Sequence, residues 1–327
     1  MRFSLIICTF QRPKALVKLL DSVSEQTEYP DEILIIDGSD DNQTKDILVE
    51  KKFRNTRYFK VLEGQRGLTR QRNFGIQEVS EETEIICFLD DDVVLKMDYF
   101  ENLFKTYIKY PEAIGVGGYI IDDIKWEENG EAEFGDFVYD GFKRKLGSRN
   151  VLRKKFGLLS ETPPGVMPKA SNGFSTGFLP PSGKVYPVEY FMGGVASYRK
   201  ELFQKIRFSH YFEGYGLYED MDFCLRASKL GQLYVNTTAQ LFHYHEEAGR
   251  PNRYEYGKMV IRNGWYVWRV KNPSPDLEAK LKWHATVFLL TFVRMGNIFT
   301  TSKRKEALTE SLGRVVGWWS LIFKKPL

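Results

Sequence analysis

Three consecutive carboxylates, Asp90, Asp91 and Asp92, directly follow the apolar run 84–89. Hard oxygen donors delivered by the end of a buried strand suit Mg²⁺ or Mn²⁺, and both ions commonly serve phosphates. An acidic surface turn is the alternative, because three adjacent negative charges repel one another unless they are paired. Other candidates recur at the ends of apolar runs. Thr9-Phe10-Gln11-Arg12-Pro13 closes the first run and Asp37 closes the second. Glu219-Asp220-Met221-Asp222 follows Gly214-Tyr215-Gly216 and opens a helical pattern. A helix N-terminus favours an ionised carboxylate, so an Asp there is a candidate proton acceptor. Ordinary capping with an Asp222–Arg226 i,i+4 pair is the competing explanation. His243 and His245 stand two apart in a strand-like stretch, on one side of it.

These groups need a frame that brings them together. Phe3–Thr9 and Ile33–Ile36 are continuous apolar runs, as expected of strands buried on both faces. Pro13 suits a first helical turn, and Ala15, Leu16, Leu19, Leu20 and Val23 repeat at helical spacing. Helices are predicted over 43–52 and 68–79, with a short strand at 57–62 and a fourth at 84–89. Strand–helix alternation over residues 1–110 predicts a parallel, Rossmann-type α/β sheet with helices on both faces. In such a sheet Thr9, Asp37 and Asp90–Asp92 share the carboxyl edge, where ligands bind.

Beyond that half the pattern loosens. A strand is expected at 114–121, and 122–184 reads as a long, partly mobile insertion without clear periodicity. A strand over 188–197 would contain Gly193-Gly194, a place for close approach to the backbone. A helix at 219–229 and strands at 232–236 and 239–245 follow. The resulting division is an α/β domain over 1–250, in halves 1–110 and 111–250, then a helical region over 251–327.

That last region is basic and aromatic. It holds 14 Lys/Arg against 5 Asp/Glu, whereas the whole chain of 327 residues has a net charge of only +4. An acidic body with a basic end argues against nucleic acid and for one anionic partner, such as a membrane surface. Two apolar stretches, 285–293 and 315–323, are too short for the roughly 20 residues that span a bilayer. They suit interfacial helices, with Trp265, Trp268, Trp283, Trp318 and Trp319 as interface-seeking side chains. Core packing or a dimer contact would explain the same stretches. Three scattered cysteines without metal or disulfide spacing, and a first strand almost at Met1, predict a reducing, cytoplasmic location, peripheral on the membrane's cytoplasmic face.

Six stretches in order, "SLIICTFQRP", "EILIIDGSDDNQT", "GLTRQRNFGI", "FLDDDVV", "FMGGVASYRKELF" and "YEDMDFCLRASKLG", resemble the family 2 glycosyltransferases over residues 2–250. The resemblance implies the GT-A fold, a nucleotide-sugar donor (UDP first), and Mn²⁺ or Mg²⁺. It makes 1–110 a nucleotide-binding half and 111–250 an acceptor half. It implies inverting transfer to a hydroxyl of a saccharide, and the basic, Trp-rich region 251–327 suggests a lipid-linked saccharide as that acceptor. Thr9, Phe10, Arg12 and Asp37 would line the nucleotide site, with Asp37 accepting a bond from the base. Arg66, Arg70 or Arg72 would reach the base or diphosphate beside Asn73. Asp90 and Asp92 match the family's Asp-x-Asp, with Asp92 the direct metal ligand. Asp220, beside Glu219, would be the catalytic base, and Gly193-Gly194 would lie near the transferred sugar. His243 or His245 would complete the metal site or touch the diphosphate. Two departures stand out: only one acid ends the second strand, and the extra Asp91 leaves the choice between Asp90 and Asp91 open. A nucleotidyltransferase or a degenerate, non-catalytic partner subunit are the alternatives.

Overall fold

The computed structural model describes residues 1–128, 130–170, 173–212, 214–244 and 251–326. They gather into two compact units, Met1–Asp123 with Pro181–Arg250, and Ile124–Pro180 with Pro251–Leu327. The first unit opens with β1 (Phe3–Thr9), α1 (Pro13–Ser24), β2 (Glu32–Asp37), α2 (Gln43–Lys51), β3 (Thr56–Lys60) and α3 (Leu68–Glu78). It continues with β4 (Ile85–Asp90), β5 (Val93–Leu95), α4 (Tyr99–Lys109) and β6 (Ala113–Ile121). The second unit takes β7 (Glu127–Glu128), β8 (Asp136–Tyr139), β9 (Phe142–Lys145) and α5 (Ser148–Lys155). The chain returns to the first unit for β10 (Val185–Val188), β11 (Val195–Arg199), α6 (Leu202–Lys205), α7 (Glu219–Ala227) and β12 (Gln232–His243). Helices α8 (Arg253–Lys271), α9 (Leu277–Thr300) and α10 (Arg304–Phe323) complete the second unit.

The large sheet has the order β10-β12-β6-β11-β4-β1-β2-β3, with β5 pairing to β12. The segment β4-β1-β2-β3 is parallel, as the strand–helix alternation predicts. Alternation across the pleat sends successive side chains to opposite faces. Leu5, Ile7, Ile33 and Ile35 share a buried cluster with Leu16, Leu19, Leu20 and Val23 of α1 and Phe100 and Leu103 of α4. Ile6 and Ile36 point the other way and press against Gly75 of α3. The sheet is thus covered on both sides, which is why β1 and β2 read as unbroken apolar runs.

The second half departs from expectation in three places. The strand around the glycine pair is β11, and Gly193-Gly194 sit in the turn before it rather than within a strand over 188–197. The two strands expected at 232–236 and 239–245 are one, β12, whose register against β6 shifts between Val235 and Gln240. The described residues of 122–184, where no clear periodicity is legible, carry elements of their own. There β8 and β9 pair as an antiparallel hairpin that β7 extends, and Phe137, Phe174 and Phe178 pack in tilted and edge-on contacts with ring centroids 4.5–5.2 Å apart. Strands of two to four residues are too short to print a period of two.

In the second unit three of the five tryptophans expected at an interface are core instead. Trp265, Trp268 and Trp283 are buried, their rings 4.8–5.8 Å apart. Helices α8 and α10 meet through glycines: a Cβ at Gly313 would collide with the Tyr254 carbonyl, and one at Gly257 with the Glu310 carbonyl. No helix among the described residues is long and apolar enough to cross a membrane.

Candidate active site

Strand register sets the starting geometry. Cys8 lies opposite Asp90 and Thr9 opposite Asp37, so three of the expected groups end neighbouring strands at one edge. The strand order reverses across β4-β1-β2, which is where open α/β sheets bind ligands.

The three aspartates divide their work. Asp91 is buried and accepts hydrogen bonds from Thr9 Oγ1 at 2.7 Å and Arg12 Nη1 at 3.0 Å. Burial pushes its carboxyl up to about 6 against the pull of the Arg12 charge. Asp92 lies 2.9 Å from His243 Nε2 and 3.5 Å from Arg12. The short strand β5 makes this possible, because it pairs Val93 with His243 of β12 and the Asp92 carbonyl accepts the Tyr244 N–H at 2.8 Å. Ligand atoms of Asp90, Asp92 and His243 all fall within 4.8 Å of one another. Two carboxylates and an imidazole form a donor set that fits Mn²⁺ or Mg²⁺. Asp90, not Asp91, therefore shares the cluster with Asp92. His245 lies outside the described residues.

The glycine pair joins this cluster to the acidic helix. β11 runs antiparallel beside β4, and the Gly194 carbonyl accepts the Asp90 N–H at 3.2 Å. A Cβ on Gly194 would fall onto the Asp90 carboxylate. One on Gly193 would stand 2.7 Å from Arg72 Nη1 and 2.8 Å from Glu219 Oε1. The Gly193 N–H donates to Asp220 Oδ2 at 3.1 Å, while Asp220 Oδ1 accepts the Met221 N–H at 2.7 Å. Burial raises the Asp220 carboxyl above its ordinary value, and those two N–H groups oppose the shift.

Helix α7 begins at Glu219 after Tyr218, whose φ of 70° is left-handed and costly for a residue with a Cβ. Glu219 is buried and ion-paired to Arg72, which also stands 3.5 Å from Asp90 and over the rings of Phe88 and Phe208. Burial raises the Glu219 carboxyl to about 8 against the Arg72 charge. Asp222 is spent on Arg226 at 2.6 Å, as i,i+4 spacing suggests.

The remaining expected residues spread along the edge. Asp37 is fully buried and accepts the Ser39 N–H at 2.8 Å and the Tyr58 hydroxyl at 2.9 Å. Phe10 is exposed, Arg66 pairs with Asp40 at 2.7 Å, and Arg70 donates to the Gly64 carbonyl. Asn73 holds both the N–H and the carbonyl of Phe208, and lines a depression of about 340 Å³ with Gln77, Arg207, Phe208 and His210. Sequence reasoning placed Arg72 among groups that reach a nucleotide. Its bond to Glu219, 147 positions away, left no local signal.

Residues 4–207 match the family described as Glycosyl transferase family 2. The chain belongs to that family. A glycosyltransferase named GlyA from Streptococcus pneumoniae serotype 4 is 27% identical over 118 residues, 36% of this chain and 17% of that protein. The glucosyl-dolichyl phosphate glucuronosyltransferase of Haloferax volcanii is 26% identical over 128 residues, 38% of this chain and 39% of that protein. The chain thus spans less than half the length of these curated relatives. The structure of GalNAc-T7 with UDP, GalNAc and Mn²⁺ superposes with a TM-score of 0.53 at 16% identity, covering 86% of this chain and 53% of that one. That likeness shows the shared GT-A-like α/β fold. The family match ends before Glu219, Asp220 and His243, so their assignment rests on geometry.

One consequence can be measured directly. Gly194→Ala forces the Asp90 carboxylate aside. If this family 2 chain binds a nucleotide together with Mn²⁺ at the Asp90–Asp92–His243 cluster, that binding should weaken by roughly tenfold or more in the variant, since a displaced carboxylate loses its coordination geometry. Unchanged affinity in a titration would show that Asp90 is not held by this contact.

Proposed function

We propose that the chain transfers a sugar, with inversion, from a nucleotide-diphosphate donor, UDP first, to a hydroxyl of a saccharide or lipid-linked saccharide at an anionic membrane surface, in polysaccharide or glycolipid assembly. One observation carries the reading. The backbone of Gly193-Gly194 ties the Asp90–Asp92–His243 cluster to Asp220, and this adjacency supports reading the cluster as the cation site and Asp220 as the base. The family match and the fold likeness support it.

Asp90, Asp92 and His243 would hold the divalent ion, which supplies Lewis-acid stabilisation of charge on the departing diphosphate. Asp220 takes the proton of the acceptor hydroxyl as that oxygen attacks the anomeric carbon. Its two backbone N–H donors fix the carboxylate and leave a lone pair on each oxygen for the incoming proton. Direct attack from the face opposite the leaving group inverts the centre, by the single-displacement logic of inverting glycosidases. Arg72 positions rather than reacts: its guanidinium holds Glu219 beneath Gly193 and stands beside Asp90. Thr9 and Arg12 fasten Asp91, which keeps the loop between β4 and β5 in place. The nucleoside and diphosphate would lie along Phe10, Arg12, Asp37, Arg66, Arg70 and Asn73.

Calorimetric titration of UDP, GDP and dTDP, each with and without Mn²⁺, tests the donor site. One nucleotide should bind in a metal-dependent way, and Asp92→Ala should weaken it by about 10–100-fold. No binding of any nucleotide by the folded chain would overturn the reading.

A further inference from the structure

Helices α9 and α10 turn apolar faces to solvent. On α9, Leu277, Leu281, Phe288, Phe292, Met295 and Phe299 recur at three-, four- and seven-residue steps and are all exposed. On α10, Leu308, Leu312, Val315, Trp319, Ile322 and Phe323 do the same. Such spacing places each set on one side of its helix. The opposite sides are the packed ones. Ala279, Trp283, Thr286 and Thr291 are the buried residues of α9, and Ala307, Glu310, Gly313, Gly317 and Leu321 are among those of α10. Phe288 meets Trp318 at 4.8 Å and Trp318 meets Trp319 at 5.4 Å, so the two stripes join through aromatic contacts. Phe299 and Phe323 are each 84% exposed and extend the two stripes into a contiguous apolar patch of the kind that marks an interaction site.

We propose that this joined face is a docking surface for an anionic phospholipid membrane, on which α9 and α10 lie in the interfacial plane. Charge selects that occupant over a second copy of the chain. Residues 251–327 carry 14 Lys/Arg against 5 Asp/Glu. Arg304 and Lys305 fall on the same side of α10 as Leu308 and Leu312, one turn before them, and Lys303 precedes the helix. Two copies pressed face to face would bring like charges together, whereas anionic headgroups complement them. The available apolar lengths suit a helix lying in the interface rather than spanning it. The inference deepens the membrane part of the proposed function and rests on it, naming the surface and the lipid chemistry.

The test is flotation of the full chain with phosphatidylcholine vesicles containing about 30% phosphatidylserine, and with pure phosphatidylcholine. The wild type should float with the anionic vesicles, less so at high salt. The exposed double variant Phe299→Glu/Trp319→Glu should bind roughly a hundredfold more weakly while its Mn²⁺–UDP titration stays unchanged. If that variant floats like the wild type, the face is not the docking surface, although membrane association itself survives. If the wild type does not float, membrane docking is overturned. A wild-type dimer in sedimentation that the variant dissolves would assign the face to a second copy and likewise overturn it. Flotation retained by a chain that binds no nucleotide would sink the transferase reading and leave the surface standing.

Discussion

Asp220→Asn should lower turnover by about 10²–10⁴-fold, the range lost when a positioned base is removed. Nucleotide affinity should move by less than about threefold, because the missing interaction forms only as the acceptor hydroxyl gives up its proton. The amide cannot take that proton at any working pH. Its oxygen can still accept one of the two N–H groups that hold the native carboxylate, from Gly193 and Met221, but its NH₂ end then faces the other donor. That mismatch costs some stability, so a thermal melt belongs beside the kinetics. A folded variant that binds UDP yet does not transfer is the expected result. Substantial residual transfer would place the base elsewhere.

The same carboxylate predicts the pH dependence. A base works ionised, so activity falls as pH drops through its titration. Burial lifts the Asp220 carboxyl above its ordinary position, outweighing the backbone N–H groups that oppose the lift. The acid limb of kcat/KM should therefore lie above the normal aspartate range of about 3.9 rather than at or below it. The limb should vanish from whatever activity Asp220→Asn retains. A limb that persists unchanged would belong to another group.

What the sequence made legible follows the physics of each signal. β1, β2 and β4 are covered on both faces, so their apolar runs are continuous and their ends are marked by Thr9, Asp37 and Asp90. Register in a parallel sheet then aligns those ends without further information. The preference for Asp90 over Asp91 was not legible. It depends on Thr9 and Arg12 capturing Asp91, which spacing within the Asp run cannot express. His243 reaches Asp92 only through β5, a strand of three residues with no period of its own. The glycine pair was legible as a close approach but not as a turn, because Val195–Arg199 and the residues before it share the same apolar character. The tryptophans of the second unit misled in the other direction. Composition sees five tryptophans in a basic region, while burial of Trp265, Trp268 and Trp283 is decided by packing among α8, α9 and α10.

Arg72→Met should destabilise the chain by about 3–5 kcal/mol above about pH 8, where the native Glu219 is ionised, the usual consequence of leaving one member of a buried ion pair alone. Arg72 and Glu219 are both buried, Met approximates the arginine stem, and Glu219 Oε2 already has no hydrogen-bond partner among the described residues. The double variant Arg72→Met/Glu219→Gln should recover most of the loss, since no charge remains to be buried. The pH dependence separates this from a packing defect. Burial already raises the Glu219 carboxyl to about 8 with Arg72 pulling it down, so removing Arg72 pushes it higher still. A carboxyl that holds its proton more tightly folded than unfolded contributes stability that is full below the unfolded value of about 4.3. That contribution is lost progressively as pH rises toward the folded value. The melting temperature of Arg72→Met should accordingly fall between about pH 5 and pH 8 relative to the double variant, which has no carboxyl to ionise at this position. Parallel slopes for the two variants would mean that Glu219 of Arg72→Met titrates folded as it does unfolded, so that the loss comes from the contacts of Arg72 with Phe88 and Phe208 instead.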